Sequence, residues 1–267
     1  MTTTTEKPTL EGFTFVSRGP KTSPRTVVLP AIPEGEFAKT LWRMHAEAKK
    51  SIFENNIYLE LEYGEELGRP GFFDILLLDQ LIKSYGIRTA LPVDLSYKQI
   101  MSKVKDNYYV ISRALVLRST QDRKYPRNNA LAKKLAEYAD VSKGPALMTG
   151  FTLEPWPEDE KGYGLQCVLA GDFSVHYDDR LAGKWNNYLF NESDERGLPL
   201  HLDKSKGTRT WFTRNDGLSG LGLSAGLNLG SDGGCLASSY NLDAQVVVVR
   251  GEGAKIADNI KRTKEVE

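Results

Sequence analysis

Between Asn215 and Ala244 the chain reads NDGLSGLGLSAGLNLGSDGGCLASSYNLDA. Leucine recurs there at Leu218, Leu221, Leu223, Leu227, Leu229, Leu236 and Leu242, and Gly, Ser, Ala, Asn, Asp, Cys and Tyr fill the spaces. No other stretch constrains the fold as strongly, because a near-periodic apolar frame has to be buried while short side chains of one restricted alphabet lie between its members. Charged residues make up 26% of the chain, yet this window has no Lys, Arg, Glu, Gln, Met, Trp or Pro, and its charges are Asp216, Asp232 and Asp243. Leucines packed inward with short polar residues facing out describe a fixed scaffold that presents exchangeable contacts. The plain alternative is a Gly/Ser-rich β-hairpin with buried leucines; low-complexity drift also narrows an alphabet but lacks a regular apolar frame. A phosphate-cradling glycine loop fits poorly, since Gly217, Gly220, Gly222 and Gly226 follow neither dinucleotide nor Walker spacing.

The alphabet has a genetic reading as well. Replacing only the adenines of an AAC or AAT codon reaches Asp, Tyr, His, Ser, Gly, Cys, Arg, Thr and Ala but never Lys, Glu, Gln, Met or Trp, and the non-leucine residues of the window all fall in the reachable set. The window, followed by the strand-like QVVVVR at 245–250, resembles the variable region of target proteins of diversity-generating retroelements. The family's Gly-Gly-Ser-Trp segment finds its nearest counterpart in Thr210, Trp211 and Phe212. The resemblance implies a C-type-lectin-like C-terminal part, no catalysis, and one ligand-binding face of diversified side chains. That face would comprise Ser219, Gly222, Ser224, Gly226, Asn228, Gly230, Asp232, Gly233, Gly234, Cys235, Ser238, Tyr240, Asn241 and Asp243. Tyr240 is its sole large contact residue.

With 267 residues the chain suits one large domain or two ordinary ones, and its formal net charge of zero gives no global argument for nucleic acid or an anionic membrane. Cys167 and Cys235 are read as free thiols, since one pair in so long a chain is no disulfide framework. The start MTTTTEKPTLEG has neither a basic end nor an apolar core, and no apolar run reaches the roughly 18 to 20 residues of a membrane span, so a cytoplasmic protein is expected. The Thr-rich start and the final KRTKEVE read as frayed tails.

Periodicity predicts a helix over 34–55, with Phe37, Leu41, Met44, Ala48 and Ile52 on one face, and a half-buried strand over 57–63. A buried helix over 72–85 follows, stopped by Gly86, then a short helix capped by Ser96 and a strand over 108–117. Asn128 or Asn129 would cap a helix through Asp140, and 141–145 has linker composition. Beyond Ala146, LMTGFTLEPW, YGLQCVLAGDFSVHY and TRTWFTR read as strands, with a helix admissible only around 181–190. The expected fold is α+β: a tail over 1–33, a mixed part over 34–145, and a β-rich, C-type-lectin-like part over 146–267 with its variable region at about 215–250.

Other constellations are weaker. Asp172, His176, Asp178 and Asp179 lie on or just after a strand, and a metal-dependent hydrolase or nuclease using Asp172, His176 and Asp179 is the rival reading. The sequence has only His45, His176 and His201 and no HxH or HExxH spacing, so neither metal nor cofactor is expected. Glu158, Asp159, Glu160 and Lys161 read as a solvated charge run, and Cys167 as a buried inert thiol. Arg113, Arg118, Arg123, Lys124 and Arg127 form a basic run around Tyr125 that could touch phosphates, although a solvated loop explains it more simply. Trp156, Trp185 and Trp211 are taken as packing residues. The resulting expectation is a non-enzymatic binder of a protein or other macromolecule, with nucleic acid disfavoured and oligomerisation allowed; a structural assembly subunit is the third reading.

Overall fold

The computed structural model describes residues 7–17, 21, 23, 25–64, 67–104, 109–231, 233, 236–237 and 244–251, and shows the mixed α+β architecture that the periodicities predict. Strands β1 (Thr14–Val16) and β2 (Thr26–Val28) form a parallel pair. Helix α1 (Gly35–Ser51) buries Phe37, Leu41, Met44 and Ala48 at helical spacing and places Lys49 and Lys50 in its last turn, where the helix dipole favours cations. It ends before Asn55 because Glu54 and Asn55 take φ of 49° and 59°.

The alternation over 57–63 yields only a two-residue strand, β3 (Glu62–Tyr63), paired with β4 (Leu67–Gly68). Asn56 explains the shortfall: its Oδ1 accepts the Tyr58 N–H at 2.9 Å, closing a side-chain turn that leaves Ile57 68% exposed. Helix α2 (Phe72–Ile82) is buried on most of its surface, and Gly86, at φ 70°, ends the turn that follows it. His45 Nε2 meets Asp74 Oδ1 at 2.8 Å, and Asp74 Oδ2 accepts the Gly71 N–H, tying α1 to the start of α2.

Strand β5 (Ile87–Thr89) leads to helix α3 (Lys98–Val104); Ser96 belongs to the 3-10 turn ahead of α3 rather than capping it. Next come β6 (Tyr109–Leu117) and helix α4 (Asn129–Leu135), which stops short of the expected Asp140. Asn128 makes no cap there. Its Nδ2 donates to the Leu218 carbonyl at 3.0 Å and its Oδ1 accepts the Tyr163 hydroxyl at 2.6 Å.

The β-rich half supplies β7 (Ala146–Pro155), β8 (Leu165–Tyr177), β9 (Tyr188–Phe190), β10 (Arg209–Phe212), β11 (Leu218–Ser224), β12 (Asn228–Gly230), β13 (Ala244–Gln245) and β14 (Val248–Arg250). The helix admitted around 181–190 is instead two 3-10 turns and β9, interrupted by extended backbone at Ala182. Residues 141–145, expected as a linker, form a 3-10 turn that runs directly into β7.

One sheet gathers most of these strands in the order β3-β4-β13-β6-β11-β12-β10-β9, with β7 beside β6 and β8 beyond it. Strand β6 pairs antiparallel with β7 and β11 and parallel with β13, so the sheet runs across the expected boundary at 145/146. Strand β6 is buried on both faces, which is why it reads as a near-continuous apolar run. Ile111, Leu115 and Leu117 enter the core formed with α1, α2 and α4, whereas Val110, Ala114 and Val116 enter a second core with Leu95, Ile100, Phe190 and Trp211. The second core also takes Val247 and Val249, while Val246 and Val248 join the first, so the terminal valines serve both. Among the described residues no helix is long and apolar enough to cross a membrane.

Leu223 lies fully buried between Val110 of β6 and Leu229 of β12. Leu223→Asp should therefore remove about 4 kcal/mol or more of folding stability, by burying a carboxylate without a partner where an apolar side chain had packed. Chemical denaturation monitored by tryptophan fluorescence measures it; a loss under about 1 kcal/mol would show that the leucine frame is not structural.

Candidate ligand-binding surface and its buried support

The described leucines of the window follow the sequence reading with one exception. Leu218, Leu221, Leu223, Leu229 and Leu236 are at most 1% exposed, whereas Leu227 is half-buried at φ 62° in the tight turn between β11 and β12. The frame serves both cores, since Leu218 and Leu236 lie in the first and Leu221, Leu223 and Leu229 in the second.

The residues between the leucines divide. Gly226 and Gly233 are exposed, Ser224 and Asn228 are half-exposed at the turn end of the β11–β12 hairpin, and Gly230 is half-exposed where β12 ends. Two expected contact residues do not reach solvent. Ser219 is fully buried; its hydroxyl donates to the Ser231 carbonyl at 2.5 Å and accepts from Arg118 Nη1 at 2.9 Å. Gly222 is buried too, and a Cβ there would lie 2.7 Å from both the Tyr109 hydroxyl and the Val110 carbonyl, so close strand approach requires glycine. Asn228 has a structural task besides any contact, because its Oδ1 accepts the Thr210 N–H at 2.8 Å. Asp232, Gly234, Cys235, Ser238, Tyr240, Asn241, Leu242 and Asp243 lie outside the described residues.

What holds the hairpin is Arg118, at the end of β6. Its Nε donates to the Leu181 carbonyl at 2.7 Å, and Nη2 reaches Thr213 Oγ1 at 2.9 Å and the Ser231 hydroxyl at 2.7 Å. With the Ser219 contact, one 8%-exposed arginine joins the end of β6 to β11, to Ser231 just past β12, to Thr213 just past β10 and to the 3-10 turn at Leu181. At the other end of the hairpin Arg209 Nε donates to the Leu227 carbonyl at 2.7 Å and the guanidinium lies over the Phe190 ring, fixing the turn. Periodicity gave no sign of either arginine's role.

The basic run therefore does not act as a unit: Arg113 and Arg118 are buried, and only Arg123, Lys124 and Arg127 are exposed. Arg113 belongs to a separate cleft of about 470 Å³ lined by Asp79, Lys83, Arg88, Thr149, Asp172 and Ser174, among others. Two irregularities in the sheet shape it. Residues 112–114 of β6 oppose the single residue Leu221, and residues 170–173 of β8 oppose Gly150. Such bulges re-aim side chains, and here Arg113 Nη1 reaches Asp79 at 2.7 Å while Nη2 reaches Asp172 at 3.0 Å. Gly150, at φ 79°, admits the crossing; a Cβ would lie 2.4 Å from the Asp172 carbonyl oxygen.

The three residues of the hydrolase reading, Asp172, His176 and Asp179, and the neighbouring Asp178 do not converge on one site. Asp172 binds Arg113, Asp178 binds Arg180 and Asp179 binds Lys184, while His176 Nε2 stands 3.5 Å from Asp178. Among the described residues no group of three His, Cys, Asp or Glu side chains could hold a metal ion. Burial pushes the Cys167 thiol well above its ordinary range, as for an inert core thiol. Asp159, expected in a solvated charge run, is buried, and its Oδ2 accepts the Tyr163 N–H at 2.9 Å. Trp211 is fully buried with its indole N–H on the Arg180 carbonyl; Trp156 and Trp185 are half-buried.

With this geometry established, comparison with known proteins adds no relative: the chain matches no protein-family model, no curated protein and no solved structure.

Asp178 yields a pH prediction. Burial works to raise its carboxyl, but hydrogen bonds from the Arg180 guanidinium and backbone N–H outweigh this and hold it below its ordinary 3.8. A depressed folded-state value means the pair stabilises the protein above pH 3.8 and ceases to do so as acid protonates the folded carboxylate. Asp178→Asn should thus melt lower than wild type at neutral pH, with the gap closing at the acid end of a thermal series. A gap independent of pH would assign the effect to shape rather than charge.

Proposed function

We propose that the protein is a cytoplasmic, non-enzymatic ligand-binding protein whose C-terminal window is diversified by retroelement-directed adenine mutagenesis on a C-type-lectin-like scaffold. The observation that supports this most is the division within the window. Five of its leucines sit in two cores at 1% exposure or less, while Ser224, Gly226, Gly230 and Gly233 among them reach solvent. A frame buried this way keeps folding independent of the residues it displays, since exposed exchanges usually change stability by no more than about 0.5 kcal/mol. Ser219 and Gly222 leave the displayed set, and the remaining contact residues belong to the hairpin end and the segment after it. The partner is a protein or other macromolecule that meets this face, with Tyr supplying contact area and Ser, Gly and Asn adaptable hydrogen bonds.

Paired substitutions test the scaffold. Ser224→Tyr should leave the melting temperature nearly unchanged, whereas Ser219→Tyr, which overfills the space around Arg118, should cost about 2 kcal/mol or more. Equal damage from both would reject a displayed face. Sequencing the DNA beside the gene tests the origin: the expected finding is a second copy of codons 215–250, differing from the gene only where that copy has adenine, beside a reverse-transcriptase reading frame. A solitary gene would return the window to ordinary β-structure.

A further inference from the structure

A second cleft, of about 550 Å³, is lined by Lys124, Tyr125, Pro126, Arg127, Lys161, Tyr163 and Ala237. Among the described residues its lining holds three cations and no carboxylate. Among the described residues none of these cations forms an ion pair, although carboxylates pair with Lys83, Arg88, Arg113, Arg180 and Lys184 elsewhere on the molecule.

The cleft is also built in advance. The Arg127 guanidinium carbon lies 5.0 Å from the Tyr58 ring centre and 6.0 Å from that of Tyr163. The two rings meet edge to face at 5.2 Å, and the Tyr163 hydroxyl donates to Asn128 Oδ1 at 2.6 Å, so the platform under Arg127 is fixed. Lys124 Nζ stands 5.2 Å from the Tyr125 ring, whose other close cation is Arg214 at 5.3 Å. A guanidinium held against aromatic faces keeps its N–H edge for an acceptor, and holding it there beforehand lowers the entropy lost on binding. Three unneutralised cations around one concavity describe a site for clustered negative charge.

We propose that this cleft binds a compact ligand carrying adjacent phosphate groups, held by Arg127, Lys124 and Lys161. An extended polyanion fits less well: Lys161 is flanked by exposed Glu158 and Glu160, which would repel a strand running past it. The proposal does not rest on diversification of the window and stands or falls separately from it.

Inorganic pyrophosphate is the probe. Isothermal titration at low ionic strength should show one-to-one binding that weakens as salt is raised. Lys124→Glu combined with Lys161→Glu, both exposed positions, should keep the melting temperature of the free protein and lose binding by about tenfold or more. Arg127→Lys should lose affinity while keeping the charge, because the planar fork and ring stacking are specific to arginine. No binding of pyrophosphate, equal binding by the folded double variant, or preference for a single-stranded oligonucleotide over pyrophosphate would each overturn the assignment.

Discussion

The guanidinium of Arg118 is the interaction on which the arrangement of the C-terminal half depends. It leaves the end of β6 and enters a buried space where Leu181, Thr213, Ser219 and Ser231 each supply an oxygen at 2.7 to 2.9 Å. A buried charge tolerates no vacant donor cheaply, and losing one hydrogen bond to such a group costs about 1.5 to 3 kcal/mol. The segments that contribute those oxygens are therefore obliged to stay where they are. Two belong to the leucine-rich window itself. Ser219 and Ser231 bracket the β11–β12 hairpin, so the arginine clamps the base of the hairpin while its far end stays free of that duty.

Strand β6 makes this possible by being central in two senses. It carries the antiparallel neighbours β7 and β11, and its side chains alternate between two separate apolar cores. The leucines of the window follow the same division, which explains why their spacing is only nearly periodic: Leu221 and Leu223 share a face, and Leu218, three residues before Leu221, faces the other core by strand alternation, the extra residues of the irregularity lying on β6. The shift on β6 also turns Arg113 toward Asp79 and Asp172. Ser112 is satisfied by donating its hydroxyl to the Leu221 carbonyl at 2.7 Å, whereas the Nε of Arg113 in the same irregularity is buried with no hydrogen-bond partner among the described residues.

Charge is distributed by the same logic. The formal net charge is zero, yet the acids and bases are not uniformly mixed. Asp79, Asp94, Asp122 and Asp178 are committed to arginines in buried or half-buried pairs. That commitment leaves Lys124, Arg127 and Lys161 together around one cleft. Whole-chain charge therefore understated the local field, because pairing and placement, not composition, decide it.

Much of the local structure was legible in the sequence. The stripes of Phe37, Leu41, Met44 and Ala48, and of Ile75 through Ile82, fixed α1 and α2, since helical spacing has few other uses. Gly86 marked the stop, and the apolar, β-branched run over 108–117 marked β6. The sequence alone also determined that five of the window's leucines, all those described but the half-buried Leu227, go inside, because so many apolar side chains in so polar an alphabet have nowhere else to go. It could not tell Ser219 from Ser224, which differ in burial only because one lies under Arg118 and the other at a hairpin end. Nor could it show that Asn56 folds the expected strand into a turn, that Arg113 and Arg118 turn inward, or that Lys161 joins Lys124 and Arg127. Those outcomes depend on contacts between residues tens of positions apart, and only the tertiary structure brings such residues within hydrogen-bonding distance.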